Sequence, residues 1–330
     1  MPTPLSIFSY VRNEAATLAK SLASIREIAD ELIVVDTGST DGTRDIARKY
    51  ADQVVEWTWR DDFAAAARFG EGLCTHRFVC KWDGDWWLES GSPAWKTLKE
   101  RGFTPGAVYR FDWINEYDAQ SLVPIVRNTN RFVYDRTAYR WVSPIHTHLT
   151  ARENQASLEI SVEDIVVYHS KDPARKQYRY AQTQHLLEQT LVTATGSNRI
   201  RLAKYAVSNA FFRQDYLRAG KYFEILFATP DPDPNLKGWL IEHYGLYLWH
   251  VAEYAALEDW IARHGTRFRQ LALLEADLAV ARNELALALE KYKYFLHAYP
   301  FDPREPNVSA IRHRDHPYRM LRILRERLRM

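Results

Sequence analysis

The chain has little of the chemistry that would place it outside a cell or across a membrane. Its 330 residues include two cysteines, Cys74 and Cys80, too few for the disulfide framework of a secreted module. No window approaches the roughly 18 uninterrupted apolar residues of a membrane span, and the N-terminal PTPLSIFSYV has neither a basic segment nor a long apolar run. A cytoplasmic, reducing setting is the expectation. Excess charge of one sign is missing too: 44 Lys plus Arg face 42 Asp plus Glu, so no global charge favours nucleic acid as a partner. What is present is apolar and aromatic bulk. Hydrophobic residues make up 46% of the chain, with 11 Trp and 19 Tyr, enough for a sizeable core, and the length favours two domains.

The first ninety residues alternate between strand-like and helix-like patterns. Leu5–Val11 is short, apolar and β-prone, and it leads into a segment where Leu18, Leu22, Ile25 and Ala29 recur at helical spacing. Leu32–Val35 is the continuous apolar run of a buried parallel strand. Asp41 is a candidate cap for the helix TRDIARKYA that follows. Val54–Trp59 reads as a third strand, DFAAAARFGEGLCTH as a third helix and RFVCKWD as a fourth strand. The resulting βαβαβαβ order predicts an α/β fold with a mostly parallel sheet covered by helices on both faces.

Two acidic features fall at strand ends. In an open parallel sheet the ligand crevice lies beyond the carboxyl ends of the strands, so Asp36, which closes LIVVD, is a candidate acceptor for a base or ribose. Ser39–Thr43 read first as a helix-capping loop. In KWDGDWW, Asp83 and Asp85 stand two apart; in an extended segment their α-carbons would be ~6.6 Å apart on one face, suited to a shared Mn²⁺ or Mg²⁺ ion bridging a diphosphate. A solvated Asp-Gly-Asp turn is the bland alternative. Cys74, His76 and Cys80 lack the fourth ligand of a zinc site.

With VRNEAATLAKSLASI, IVVDTGSTDGTRDIA and a D-x-D in this order, the chain resembles a family-2 glycosyltransferase of the GT-A fold, most strongly over residues 5 to 90. The resemblance implies that Ser9, Tyr10, Val11, Glu14 and Asp36 line a nucleotide pocket, and that Arg68 approaches base or phosphate. It also implies that Asp83 and Asp85 hold ribose, metal and diphosphate. His169, ending IVVYHS, could complete the metal site, and Lys171, Arg175 and Arg179 could neutralise the diphosphate. The family's catalytic Glu corresponds to Thr147 in SPIHTHLT, and a threonine hydroxyl hardly ionises near neutral pH. The base is then sought among His146, His148, Asp112, Glu116 and Asp118.

From about residue 195 the pattern turns helical. Ala219, Phe223, Leu226 and Pro232, then Leu257 and Ile261, then Ala288, Tyr292, Phe295 and Pro300 recur, resembling second helices of tetratricopeptide repeats, which stack into curved arrays. Expected domains are therefore 1–190, catalytic, and 195–330, a helical domain for acceptor binding or homodimerisation. The tail RHRDHPYRMLRILRERLRM sets Leu321, Leu324 and Leu328 on one face among arginines, fit either for docking on its own domain or for peripheral contact with the inner face of a membrane.

These readings combine into an expected metal-dependent, inverting transfer of a hexose from a nucleotide-diphosphate sugar, expected to be a UDP-sugar, to a peptide or saccharide acceptor. Two rivals stand beside it. One is a binding or scaffold protein impaired at Thr147. The other is a nucleotidyltransferase, for which the glycine-rich basic loop is missing where SYVRNEA stands.

Overall fold

The computed structural model describes residues 2–88, 93–116, 126–170, 173–230, 234–265, 267–299 and 308–328. It divides into two compact units, Met1–Lys176 and Gln177–Met330. That boundary falls near the start of a long helix, whereas the expected boundary at 190–195 falls at its end.

The first unit carries strands β1 (Leu5–Val11), β2 (Glu31–Asp36), β3 (Gln53–Glu56), β4 (Phe78–Lys81), β5 (Trp86–Leu88), β6 (Ala107–Glu116), β7 (Val126–Asp135), β8 (Tyr139–Val142), β9 (His148–Ala151) and β10 (Leu158–Ser170). Its helices are α1 (Leu18–Ile25), α2 (Thr43–Tyr50), α3 (Phe63–Leu73) and α4 (Pro93–Arg101). Eight strands form one sheet in the order β3-β2-β1-β4-β7-β6-β10-β5, and β8 with β9 forms a separate hairpin. Pairings β1–β2, β1–β4, β2–β3 and β6–β10 are parallel; β4–β7, β6–β7 and β5–β10 are antiparallel. The sheet is thus mixed, with the parallel half where the apolar runs predicted it.

Alternation along β1 explains the layering. Leu5, Ile7 and Val11 join Leu18, Leu22 and Ile25 of α1, Ala47 of α2 and Trp95 of α4 in one core, while Phe8 meets Ala64 and Ala67 of α3 and Trp141 of the hairpin in the other. The third strand ends at Glu56, short of the expected Trp59, with a last backbone bond from Trp57 N–H to the Asp36 carbonyl at 2.8 Å.

The second unit comprises most of α5 (Pro173–Thr193), then α6 (Gly196–Phe212), α7 (Tyr216–Phe227), α8 (Pro234–His250), α9 (Tyr254–His264), α10 (Arg269–Ala281), α11 (Leu285–Ala298) and α12 (Val308–Arg327). Successive helices α6 and α7, α8 and α9, and α10 and α11 pack as pairs. The recurring positions Ala219, Phe223, Leu226, Leu257, Ile261, Ala288, Tyr292 and Phe295 are all buried, on α7, α9 and α11. Pro232 and Pro300 lie outside the described residues.

The tail resolves as docking. Leu321, Leu324 and Leu328 of the C-terminal segment pack into the core formed by α10 and α11, so of the two uses read for this stripe the structure shows docking within the unit. Among the described residues no helix is long and apolar enough to cross a membrane.

Candidate functional site

Three neighbouring parallel strands, β2, β1 and β4, deliver their carboxyl ends to one edge of the sheet. Asp36 closes β2 opposite Val11 of β1 and is 2% exposed. Its two carboxylate oxygens each lie 3.2 Å from Ser39 N, and Arg44 Nε is 3.7 Å from Oδ2. The hydroxyl-rich turn after it does more than cap a helix. Ser39 Oγ accepts from Asn13 N–H at 2.9 Å, Thr43 Oγ1 from Glu14 N–H at 2.7 Å and Asp41 Oδ2 from Ala15 N–H at 3.2 Å. These bonds tie the turn after β2 to the turn after β1. The N-cap of α2 is Gly42, with no side-chain cap bond, and Asp41 instead takes the Thr43 N–H at 3.0 Å; the expected Asp41 cap is corrected to that contact.

Of the pocket residues implied on β1, Ser9 and Val11 are enclosed, at 0% and 2% exposure, while Tyr10 is half-buried with its ring 6.2 Å from that of Phe63. Glu14 sits half-buried at the foot of α1, its carboxylate accepting from Thr17 Oγ1 at 3.2 Å. Arg68 on α3 donates to the Trp141 carbonyl at 3.1 Å and lies 3.5 Å from Asp62.

The Asp-Gly-Asp segment is a turn, not the extended strand expected for it. Asp83 C=O accepts from Trp86 N–H at 3.1 Å and from Ser21 Oγ at 3.1 Å. Beneath it the fully buried Trp82 donates to Ser21 Oγ at 3.0 Å. A β-carbon at Gly84 would lie 3.1 Å from both Glu14 Cγ and Val11 Cγ1, so the turn is pressed against the end of β1. Overpacking costs ~1–3 kcal/mol, and Gly84→Val is expected to lower the unfolding free energy of the first unit by about that amount, measured by denaturant titration.

Because the segment turns, its carboxylates take different partners. Asp83 Oδ1 forms an ion pair with Lys81 Nζ. Asp85, 7% exposed, is brought to His169 by the antiparallel register His169↔Trp86 between β10 and β5, which sets Oδ2 3.2 Å from Nε2. The imidazole is 8% exposed, stacked on Trp113 at 4.9 Å and edge-on to Trp86. Among the described residues no three His, Cys, Asp or Glu side chains are placed to hold an ion together. The expected set of Asp83, Asp85 and His169 is therefore present as the Asp85–His169 pair, with Asp83 held apart by Lys81. That pair fits Mn²⁺ or Mg²⁺, which accept one or two protein ligands and take the remainder from phosphate and water.

Lys81 was given no role from sequence, where a lysine closing a strand reads as an ordinary end. Its ammonium lies 4.8 Å from the Tyr10 ring and 5.2 Å from that of Trp86. Burial alone would lower its pKa, yet Asp83 and Tyr10 hold it above its ordinary value. Burial pushes the Tyr10 phenol up, against the pull of Lys81.

The base candidates are dispersed. Thr147 Oγ1 donates to the Val142 carbonyl at 3.1 Å, closing the β8–β9 turn. His146 lies in that turn at φ 48°, and Phe63 N–H fixes the turn to α3 through the Pro144 carbonyl at 2.9 Å. His148 opens β9, Asp112 lies within β6 and Glu116 ends β6. Asp118 and Lys171 lie outside the described residues, as do the side chains of Glu116, Arg175 and Arg179.

Residues 6–152 match the family model described as glycosyl transferase family 2. They form a family-2 glycosyltransferase domain. The mostly parallel sheet flanked by helices, followed along the chain by a helical region, is the α/β arrangement expected from the strand and helix order. One relative of the chain is a TPR repeat-containing protein of Synechococcus elongatus, 33% identical over 142 residues, or 43% of this chain and 34% of that one. An uncharacterized glycosyltransferase of Rickettsia felis is 36% identical over 81 residues, 24% of this chain and 28% of that one. The glycosyltransferase match thus spans about a third or less of these relatives' lengths. A solved structure, glucosyl-3-phosphoglycerate synthase from Mycobacterium tuberculosis with Mn²⁺, UDP-glucose and phosphoglyceric acid, aligns at 16% identity and a TM-score of 0.39. The alignment covers 57% of this chain and 78% of that one.

Proposed function

We propose that the chain is a metal-dependent glycosyltransferase that moves a hexose, with inversion, from a UDP-sugar to a peptide, protein or cell-surface saccharide. The observation that carries this reading is the Asp85–His169 pair, set by the β5–β10 register next to the strand edge that ends in Asp36. Asp85 and His169 would hold Mn²⁺ or Mg²⁺, which supplies Lewis-acid neutralisation of the departing diphosphate. Tyr10 and Asp36 then bound the nucleoside, and the bonds from the Asn13 and Glu14 amides to the Ser39 and Thr43 hydroxyls fix the spacing of the two turns before the donor arrives.

The acceptor proton needs a base other than Thr147, whose hydroxyl is committed to Val142. We assign that role to one of Glu116, His146 and Asp118. The paired helices of the second unit support a peptide acceptor, since stacked helix pairs offer extended concave surfaces. Dimerisation through the same surface is the competing use.

A thermal-shift screen of nucleoside-diphosphate sugars, each with Mn²⁺ or with EDTA, tests the donor class. A ligand at a hundred times its dissociation constant adds ~2.7 kcal/mol of stability. Stabilisation by uridine compounds, enhanced by metal, is the expected result, with UDP rather than pyrophosphate released on turnover. No turnover under any condition would favour the scaffold reading that the Thr147 substitution suggests.

A further inference from the structure

Lys81 ends β4, after the buried Phe78, Val79 and Cys80, and pairs in register with Phe8 of β1. Its side chain is 12% exposed. A lysine is a compact charge with three N–H donors. Asp83 takes one, while the Tyr10 and Trp86 rings flank the ammonium at 4.8 and 5.2 Å. Asp83 therefore accounts for one of the three donors, and with the two rings it holds the head group beside the Asp-Gly-Asp turn. The same edge carries the carboxylates of Asp36, Asp83 and Asp85, which would repel an incoming anion. Neutralising Asp83 alone explains one hydrogen bond of this cation; it does not explain why an aromatic-flanked ammonium is kept at the partly open end of a buried strand.

Building on the donor reading above, we propose that Lys81 is a fixed cation of the donor pocket, spending a remaining N–H on the diphosphate and giving the site an affinity for nucleoside diphosphates that does not depend on metal. Lys81 thereby divides the work with Asp85 and His169. The lysine binds the diphosphate in the ground state, and the metal-facing pair adds to that binding.

The test is calorimetric titration of UDP and of uridine into the full chain, with Mn²⁺ or with EDTA. Wild type is expected to bind UDP in both, about tenfold more weakly in EDTA. Lys81→Met is expected to lose a further tenfold or more for UDP in EDTA, the scale of one charge-assisted hydrogen bond, with uridine binding unchanged. Asp85→Ala is expected to gain nothing from Mn²⁺. The proposal is overturned if wild type binds UDP with Mn²⁺ but not in EDTA, or if Lys81→Met weakens uridine as much as UDP, the mark of a purely structural lysine. It is also overturned if Lys81→Met leaves UDP binding in EDTA untouched. Wild type that binds UDP in neither condition overturns the donor reading itself. The wild-type comparison needs no variant to fold.

Discussion

Asp85→Ala is expected to cut the rate of UDP release from a UDP-sugar by about two to three orders of magnitude, or about 3–4 kcal/mol of transition-state stabilisation. Asp85 offers a carboxylate that is 7% exposed and aimed at His169 from 3.2 Å. Alanine removes one of the two protein groups placed to hold a cation, while the imidazole keeps its contacts with Trp113 and Trp86. The enhancement of UDP-induced thermal stabilisation by Mn²⁺ should vanish in the same variant. Asp83→Asn should cost less, because that carboxylate is already neutralised by Lys81. Equal losses at the two positions would mean that both carboxylates face the ion, and full activity in Asp85→Ala would reduce the pair to a packing contact.

The parallel half of the sheet was legible chiefly where a strand is buried on both faces and reads as an unbroken apolar run, as in Leu32–Val35. The antiparallel half was harder. β6 and β7 mix aromatic, basic and acidic residues, and β5 is three residues long, too short for any periodicity to show. That strand mattered most for the site, since its register alone places His169 beside Asp85. His169 itself could be named from the apolar run before it, but its partner could not. Asp83 and Asp85 were read as one surface because spacing of two implies a shared face only in extended chain, and the turn that separates them depends on Gly84 fitting against Val11 and Glu14. For the tail, the leucine stripe is equally suited to lipid and to protein; the core of α10 and α11, distant in sequence, decides between them.

Away from the site, Asp135→Asn is expected to destabilise the first unit by about 2–3 kcal/mol, read as a lower denaturant midpoint. Asp135 ends β7 with no exposure. Its Oδ2 accepts from Arg77 Nη2 at 2.7 Å, Arg77 Nε at 3.0 Å and Gly106 N–H at 2.8 Å, and its Oδ1 accepts from Thr137 N–H at 3.0 Å and Thr137 Oγ1 at 2.7 Å. Burial would raise the carboxyl pKa, but Arg77, Thr137 and the Gly106 and Thr137 amides outweigh it and bring the value from 3.8 down to about 2. A depressed acid binds its proton less readily when folded than when unfolded. Its contribution is therefore complete above about pH 4 and is lost as pH falls toward 2, and the shift corresponds to about 2 kcal/mol. Asparagine keeps the shape but turns an amide N–H₂ toward donors on one side, leaving either Arg77 and Gly106 or Thr137 without an acceptor. In the variant the acid limb of the stability curve should flatten between pH 4 and pH 2, because the group that titrates there is gone. An unchanged acid limb would show that another carboxylate controls it. Arg77→Ala should cost less than Asp135→Asn, because Arg77 is half exposed and its loss leaves three of the five donors in place.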